Sequence, residues 1–103
     1  MNPAKVNRAK VRLLTDLPNI GKACAEDLRL LGITTPAQLK GKDGFKLYDK
    51  LCAVTGHRHD PCMIDAFLSV TDFMNGGKAK PWWEFTAERK RTLAQDPRKS
   101  RYA

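Results

Sequence analysis

Few side chains in this sequence are placed to do chemistry. Cys52, His57, His59 and Cys62 fall in one short stretch, and two thiolates with two imidazoles are a donor set for tetrahedral zinc. The spacing, Cys-x4-His-x-His-x2-Cys, departs from the paired Cys and paired His spacings of zinc fingers. Cys52 also sits beside Leu51 on an apolar helical face, where cysteine behaves as a small hydrophobe. The stretch is therefore read as two packing cysteines around a histidine-bearing loop, with zinc as the alternative, and no cofactor is expected. For nucleophilic catalysis, Cys62 has His59 nearby and a helix start that would lower its thiol pKa. No third orienting group and no oxyanion site complete the set, so no enzyme is expected and no small-molecule substrate.

A different chemistry needs no acid or base. Leu17-Pro18-Asn19-Ile20-Gly21-Lys22-Ala23 reads as a tight turn opening onto a helix. The first amides of a helix have no partner within it and lie at the positive end of its dipole. Gly21 carries no side chain to obstruct a phosphate oxygen, so the amides of Gly21, Lys22 and Ala23 can donate to one. Lys22 adds a mobile positive charge. Such contacts carry no base-sequence information, and binding through them weakens steeply with salt. A plain helix corner is the alternative reading of the same turn.

The elements that must hold these residues are helical. No segment alternates apolar and polar residues between hairpin turns. The periodicity predicts helices over about Pro3–Asp16, Lys22–Leu31, Pro36–Lys40, Phe45–Thr55, Asp60–Met74 and Thr86–Leu93. Pro18 closes the first, because proline lacks the amide hydrogen and crowds the preceding turn. Gly32, just past the second, suits a left-handed cap. Thr35-Pro36 and Asp60-Pro61 are cap-then-proline starts. On the fifth helix Asp65, Ser69 and Asp72 are expected to face water. Trp82, Trp83 and Phe85 are expected to pin the last helix, with one tryptophan ring buried and the other partly exposed.

A helix, a glycine-containing turn and a helix occur at 13–31 and again, more loosely, at 36–54. The second turn, Leu39-Lys40-Gly41-Lys42-Asp43-Gly44, keeps the glycines and loses the central hydrophobe. It is read as a packing element, although Lys40, Lys42 and Lys46 could flank the same phosphate backbone against the opposing charge of Asp43. Lys42 and Gly44 are kept as candidate contacts.

The formal charge is +8 over 103 residues, and the excess is wholly terminal. Residues 1–12 hold Lys5, Arg8, Lys10 and Arg12 without an acid. Residues 88–103 hold Arg89, Lys90, Arg91, Arg98, Lys99 and Arg101 against Glu88 and Asp96. Basic termini attract polyanions. Arg89, Lys90 and Arg91 join Asn19, Ile20, Gly21, Lys22, Ala23, Lys42 and Gly44 as candidate DNA contacts. No apolar run approaches the roughly 20 residues of a membrane span, and no secretory leader is seen. Reduced cysteines and a cytoplasmic location are expected.

The segment Leu17–Leu28, with Ile20, Gly21, Ala25 and Leu28, resembles the helix-hairpin-helix motif of DNA-repair and recombination proteins. Asn19 stands where that motif usually has its first glycine, and asparagine tolerates the left-handed region. Leu17–Leu51 is similar to the C-terminal domain of TfoX-type competence regulators. A fuller resemblance, over roughly residues 13–91, is to a small bacterial family of pathogenicity-locus proteins. It includes Asp60-Pro61-Cys62, Asp65, Phe67 and the block from Pro81-Trp82-Trp83 through Phe85-Thr86 to Arg89-Lys90.

The resemblance implies an all-α fold, a compact bundle of five or six short helices containing a double helix-hairpin-helix (SAM/HhH-like) unit. One domain over 1–95 and a basic flexible tail over 96–103 are expected. The function so read is non-sequence-specific DNA binding, with a protein-interaction module using the same hairpins as the alternative.

Overall fold

Capping side chains and prolines set the element boundaries. In the computed structural model, which describes residues 1–103, the α-helices are α1 (Lys22–Leu30), α2 (Gly44–Thr55), α3 (Cys62–Met74) and α4 (Thr86–Gln95). Six 3-10 turns connect and flank them, and there is no strand. The chain is thus all-α, with four α-helices where five or six helices were expected. None of them is long and apolar enough to cross a membrane.

The first expected helix, Pro3–Asp16, is replaced by three 3-10 turns at Pro3–Lys5, Arg8–Lys10 and Leu14–Asp16. The cause is local competition for the backbone. Asn2 Oδ1 accepts from the amide of Ala4, and Asn7 Oδ1 from that of Ala9. Asp16 Oδ2 accepts from the amides of Arg12 and Leu13. Each bond restarts the chain before an α-helix can propagate, so the segment carries its apolar residues Val6, Val11 and Leu14 to the core without one. Pro36–Leu39 is likewise 3-10. Gln38 Oε1 folds back to accept from the amides of Thr34 and Thr35 at 2.7 and 2.9 Å.

The other starts and stops follow the local rules. Asp60 Oδ1 accepts from the Cys62 amide at 2.9 Å, where α3 begins. Gly32, past α1, takes φ +81. The core is one cluster in which Tyr48 and Phe67 are the largest fully buried side chains, joined by Leu14, Leu17, Ile20 and Leu28 from the first third of the chain. The principal packing is α2 against α3, and Gly44 permits it. A Cβ at Gly44 would stand 3.0 Å from both the Leu68 amide nitrogen and Leu68 Cδ2. Gly44→Ala is accordingly expected to lower stability by about 1–3 kcal/mol through overpacking. Urea titration checks this, and a midpoint equal to wild type would contradict it.

Two polar residues of α3 correct the sequence reading. Asp65 and Ser69 are buried, with only Asp72 of the expected water-facing row exposed. Arg89 Nε and Thr86 Oγ1 each donate to the Asp65 carboxylate at 2.7 Å, and this holds α4, which buries no residue of its own, onto α3. Neither tryptophan ring is buried: Trp82 is 37% and Trp83 62% exposed. The last helix is pinned by Phe85 and by the Asp65 clamp instead.

Within residues 96–103, expected as a flexible tail, Lys99, Ser100 and Arg101 are tied to carboxylates of α2 and its cap. Lys99 Nζ pairs with Asp43 at 2.6 Å, Ser100 Oγ donates to Asp49, and the Arg101 amide donates to the same carboxylate at 2.7 Å. The carboxylates of α2 and its cap thus neutralise part of a terminus whose sequence reads as unpartnered charge.

Candidate nucleic-acid interface

The turn before α1 combines a buried base with an open mouth. Leu17, Pro18 and Ile20 are fully buried, while Gly21, Lys22 and Ala23 are exposed. Asn19 has φ +67, the one non-glycine residue in the left-handed region. Its side chain explains why glycine would serve less well. Asn19 Nδ2 donates to Ser69 Oγ at 3.0 Å and to the Lys80 carbonyl at 2.7 Å. Asn19 Oδ1 accepts from the Trp82 amide at 3.2 Å. One amide group therefore ties the turn both to α3 and to the segment entering the tryptophan pair. The backbone is held as well: the Asn19 amide donates to the Met1 carbonyl, and the Met1 ammonium to the Ile20 carbonyl, each at 2.9 Å.

These braces divide the effects of two substitutions. Asn19→Ala loses three hydrogen bonds, worth about 1 kcal/mol each, and carries a left-handed strain of about 1–2 kcal/mol. Asn19→Gly loses only the bonds. Thermal melts should therefore rank wild type above Gly and Gly above Ala. An alanine chain as stable as the glycine chain would contradict the backbone part of the explanation.

Beyond the turn, the first intrahelical bond runs from the Ala25 amide to the Gly21 carbonyl at 3.0 Å. The amides of Gly21, Lys22, Ala23 and Cys24 have no acceptor in the protein. A Cβ built on Gly21 would meet nothing within 4 Å. The mouth is therefore open, with donors at the positive end of the α1 dipole.

The second turn is different. Asp43 Oδ1 accepts from the amides of Phe45 and Lys46 at 2.8 and 3.4 Å, so the start of α2 carries its own anion. Burial works against ionising Asp43. The Lys99 ammonium and those amides outweigh it and hold the carboxyl below its usual range. Of the two candidate contacts there, Lys42 is exposed and Gly44 is buried against Leu68. Gly44 is corrected from a phosphate contact to a helix-packing position. Arg89 is likewise turned inward, its guanidinium occupied by Asp65, whereas Lys90 and Arg91 are exposed on α4.

Hydrogen bonds and a ring contact engage the four zinc candidates, some of them with each other. The Cys52 thiol, buried, accepts from the His59 amide at 3.5 Å. His59 Nε2 is 2.7 Å from Thr55 Oγ1, and its ring lies 4.2 Å from that of His57. Cys62 stands at the start of α3 beside Asp60. No group of three or more His, Cys, Asp or Glu side chains is arranged to hold a metal ion. The helix start does not activate Cys62 either. Its hydrogen bond with the Asp60 carboxylate, followed by burial, raises the thiol pKa above the ordinary value. Burial pushes the Cys24 thiol up to about 11, with Asp27 adding to the shift.

Ser69, Lys80 and Asp65 are the positioning residues the sequence reading missed. Their partners lie 50, 61 and 24 residues away along the chain, beyond the reach of any local pattern.

Residues 7–91 match the pathogenicity-locus family. The chain belongs to that family. It is also similar to the mitomycin resistance protein McrB of Streptomyces lavendulae, at 44% identity over 81 residues, covering 79% of this chain and 77% of that one. The span matched by the family contains the open turn, α1–α3, the tryptophan pair and the Asp65–Arg89 clamp. No solved structure matches.

Proposed function

We propose that this pathogenicity-locus protein is a cytoplasmic, non-enzymatic binder of the DNA backbone, built on a helix-hairpin-helix unit whose first hairpin is Leu17–Gly21. The observation that carries the reading is the set of unpartnered amides at Gly21, Lys22 and Ala23, with open space beside the Gly21 α-carbon. A phosphate oxygen there meets several amide donors and the positive end of α1 at once. Lys22, Lys90 and Arg91 are exposed, and on this reading their charge adds to the attraction. The second hairpin, already capped by Asp43, packs the unit together and leaves phosphate binding to the first.

The part this chain takes in mitomycin resistance, on this reading, passes through the DNA it holds. The experiment is fluorescence anisotropy of a labelled duplex across a salt series. Affinity should be independent of base sequence and fall steeply between about 50 and 200 mM salt. Absence of binding at the low-salt end overturns the proposal, and so does affinity unchanged at about 1 M salt, where screening shortens to about 3 Å.

A further inference from the structure

Next to the open turn lies a groove of about 390 Å³ that the backbone contacts leave unused. Ala23 and Cys24 of α1 form one side, Met63 and Ala66 of α3 the other, and Trp82 stands at its edge. Asp27 and Asp60 are the charged groups that line it. Trp82 is held there by more than chain connectivity. Its amide bonds Asn19, the residue that shapes the phosphate mouth, and its ring meets Trp83 edge-on at 5.7 Å and 83°. The pair thus presents a fixed aromatic surface to solvent beside a row of amide donors.

We propose that this groove takes an unpaired nucleobase, stacked on Trp82, from a nucleotide whose phosphate sits at the Gly21–Ala23 amides. The inference rests on the backbone-binding reading and specifies the form of nucleic acid. Charge complementarity selects the occupant. The carboxylates of Asp27 and Asp60 repel a phosphate from the groove, so the anion stays at the mouth and a neutral group enters. Hydrogen bonding to Cys62 holds the Asp60 carboxyl below its usual range, so it is ionised at neutral pH. An ionised carboxylate accepts hydrogen bonds and donates none. It therefore favours a base edge that carries an amine, as cytosine does and thymine does not. The apolar sides and the aromatic surface accept the faces of any base, because stacking tolerates sequence. A paired duplex offers neither a free face nor a free edge, so the groove distinguishes bulged or single-stranded sites from continuous duplex.

The test uses the full chain and three hairpin DNAs of one sequence: fully paired, with one bulged dC, and with one bulged dT. Trp82 and Trp83 are the two tryptophans of the chain, so intrinsic fluorescence reports on the groove directly. The bulged-dC hairpin should quench that fluorescence and bind about tenfold tighter than the paired one, with dT in between. Trp82→Ala should abolish the bulge preference while leaving paired-duplex affinity within about twofold. Asp60→Asn, which keeps an oxygen for the Cys62 amide but adds an NH2 donor, should draw dC and dT together even if the tryptophan variant fails to fold. Equal binding of bulged and paired hairpins with unchanged fluorescence overturns the groove and leaves backbone binding standing. Binding of none of the three overturns both.

Discussion

Asp65→Ala is expected to lower the unfolding free energy by about 3–5 kcal/mol, the loss associated with breaking a buried ion pair from one side. The carboxylate is fully buried and holds both the Arg89 guanidinium and the Thr86 hydroxyl at 2.7 Å. Its removal leaves a cation whose side chain is only 13% exposed without a partner. Against the roughly 5–15 kcal/mol that stabilises a domain of ordinary size, this is a large fraction. The paired change Asp65→Leu with Arg89→Met should recover most of it, because apolar residues of similar volume often replace a buried pair without loss. Urea denaturation of the single and double variants measures both. A single variant within about 1 kcal/mol of wild type would show that α4 is held by Phe85 and Leu93 packing alone.

Gly21→Val should reduce duplex affinity at least tenfold while leaving the fold unchanged. Two observations separate these outcomes. The backbone at Gly21, φ −94 and ψ −173, is extended and open to any residue, and a Cβ there meets nothing within 4 Å. Valine therefore fits the protein but stands where a phosphate would approach. On the proposed backbone-binding reading, it would break or lengthen the three hydrogen bonds from the Gly21, Lys22 and Ala23 amides to that phosphate. At about 1.5 kcal/mol or more for each hydrogen bond to a charged group, the effect exceeds the roughly 1.4 kcal/mol that makes a factor of ten. Anisotropy reads the affinity, and circular dichroism reads the helices. Full affinity with intact helicity would remove the Gly21 mouth from the interface.

These expectations divide between what the chain's own pattern carries and what arises only when distant segments meet. Local pattern specifies α1, α2, most of α3 and α4, together with the stop at Gly32 and the starts at Pro36 and Asp60-Pro61. Periodicity, caps and proline sterics act within about four residues, and so does the left-handed tolerance of Asn19. Local signals failed over Pro3–Asp16, where apolar spacing suggested one helix and the side chains of Asn2, Asn7 and Asp16 captured the backbone instead. Periodicity registers apolar positions and does not weigh that competition.

Which charges are free and which surfaces are open emerges only from the packed chain. Asp65 and Ser69 look like a wet stripe until Arg89 and Asn19 arrive from other parts of the chain. Gly44 stands among the candidate DNA contacts until Leu68 is packed against it. The two similar glycine turns part company because Asp43 supplies an anion to one helix start and nothing supplies it to the other. The physical reason is common to all three: a buried polar group or a close backbone approach is stable only with its partner in place, and the partner's position is a property of the fold.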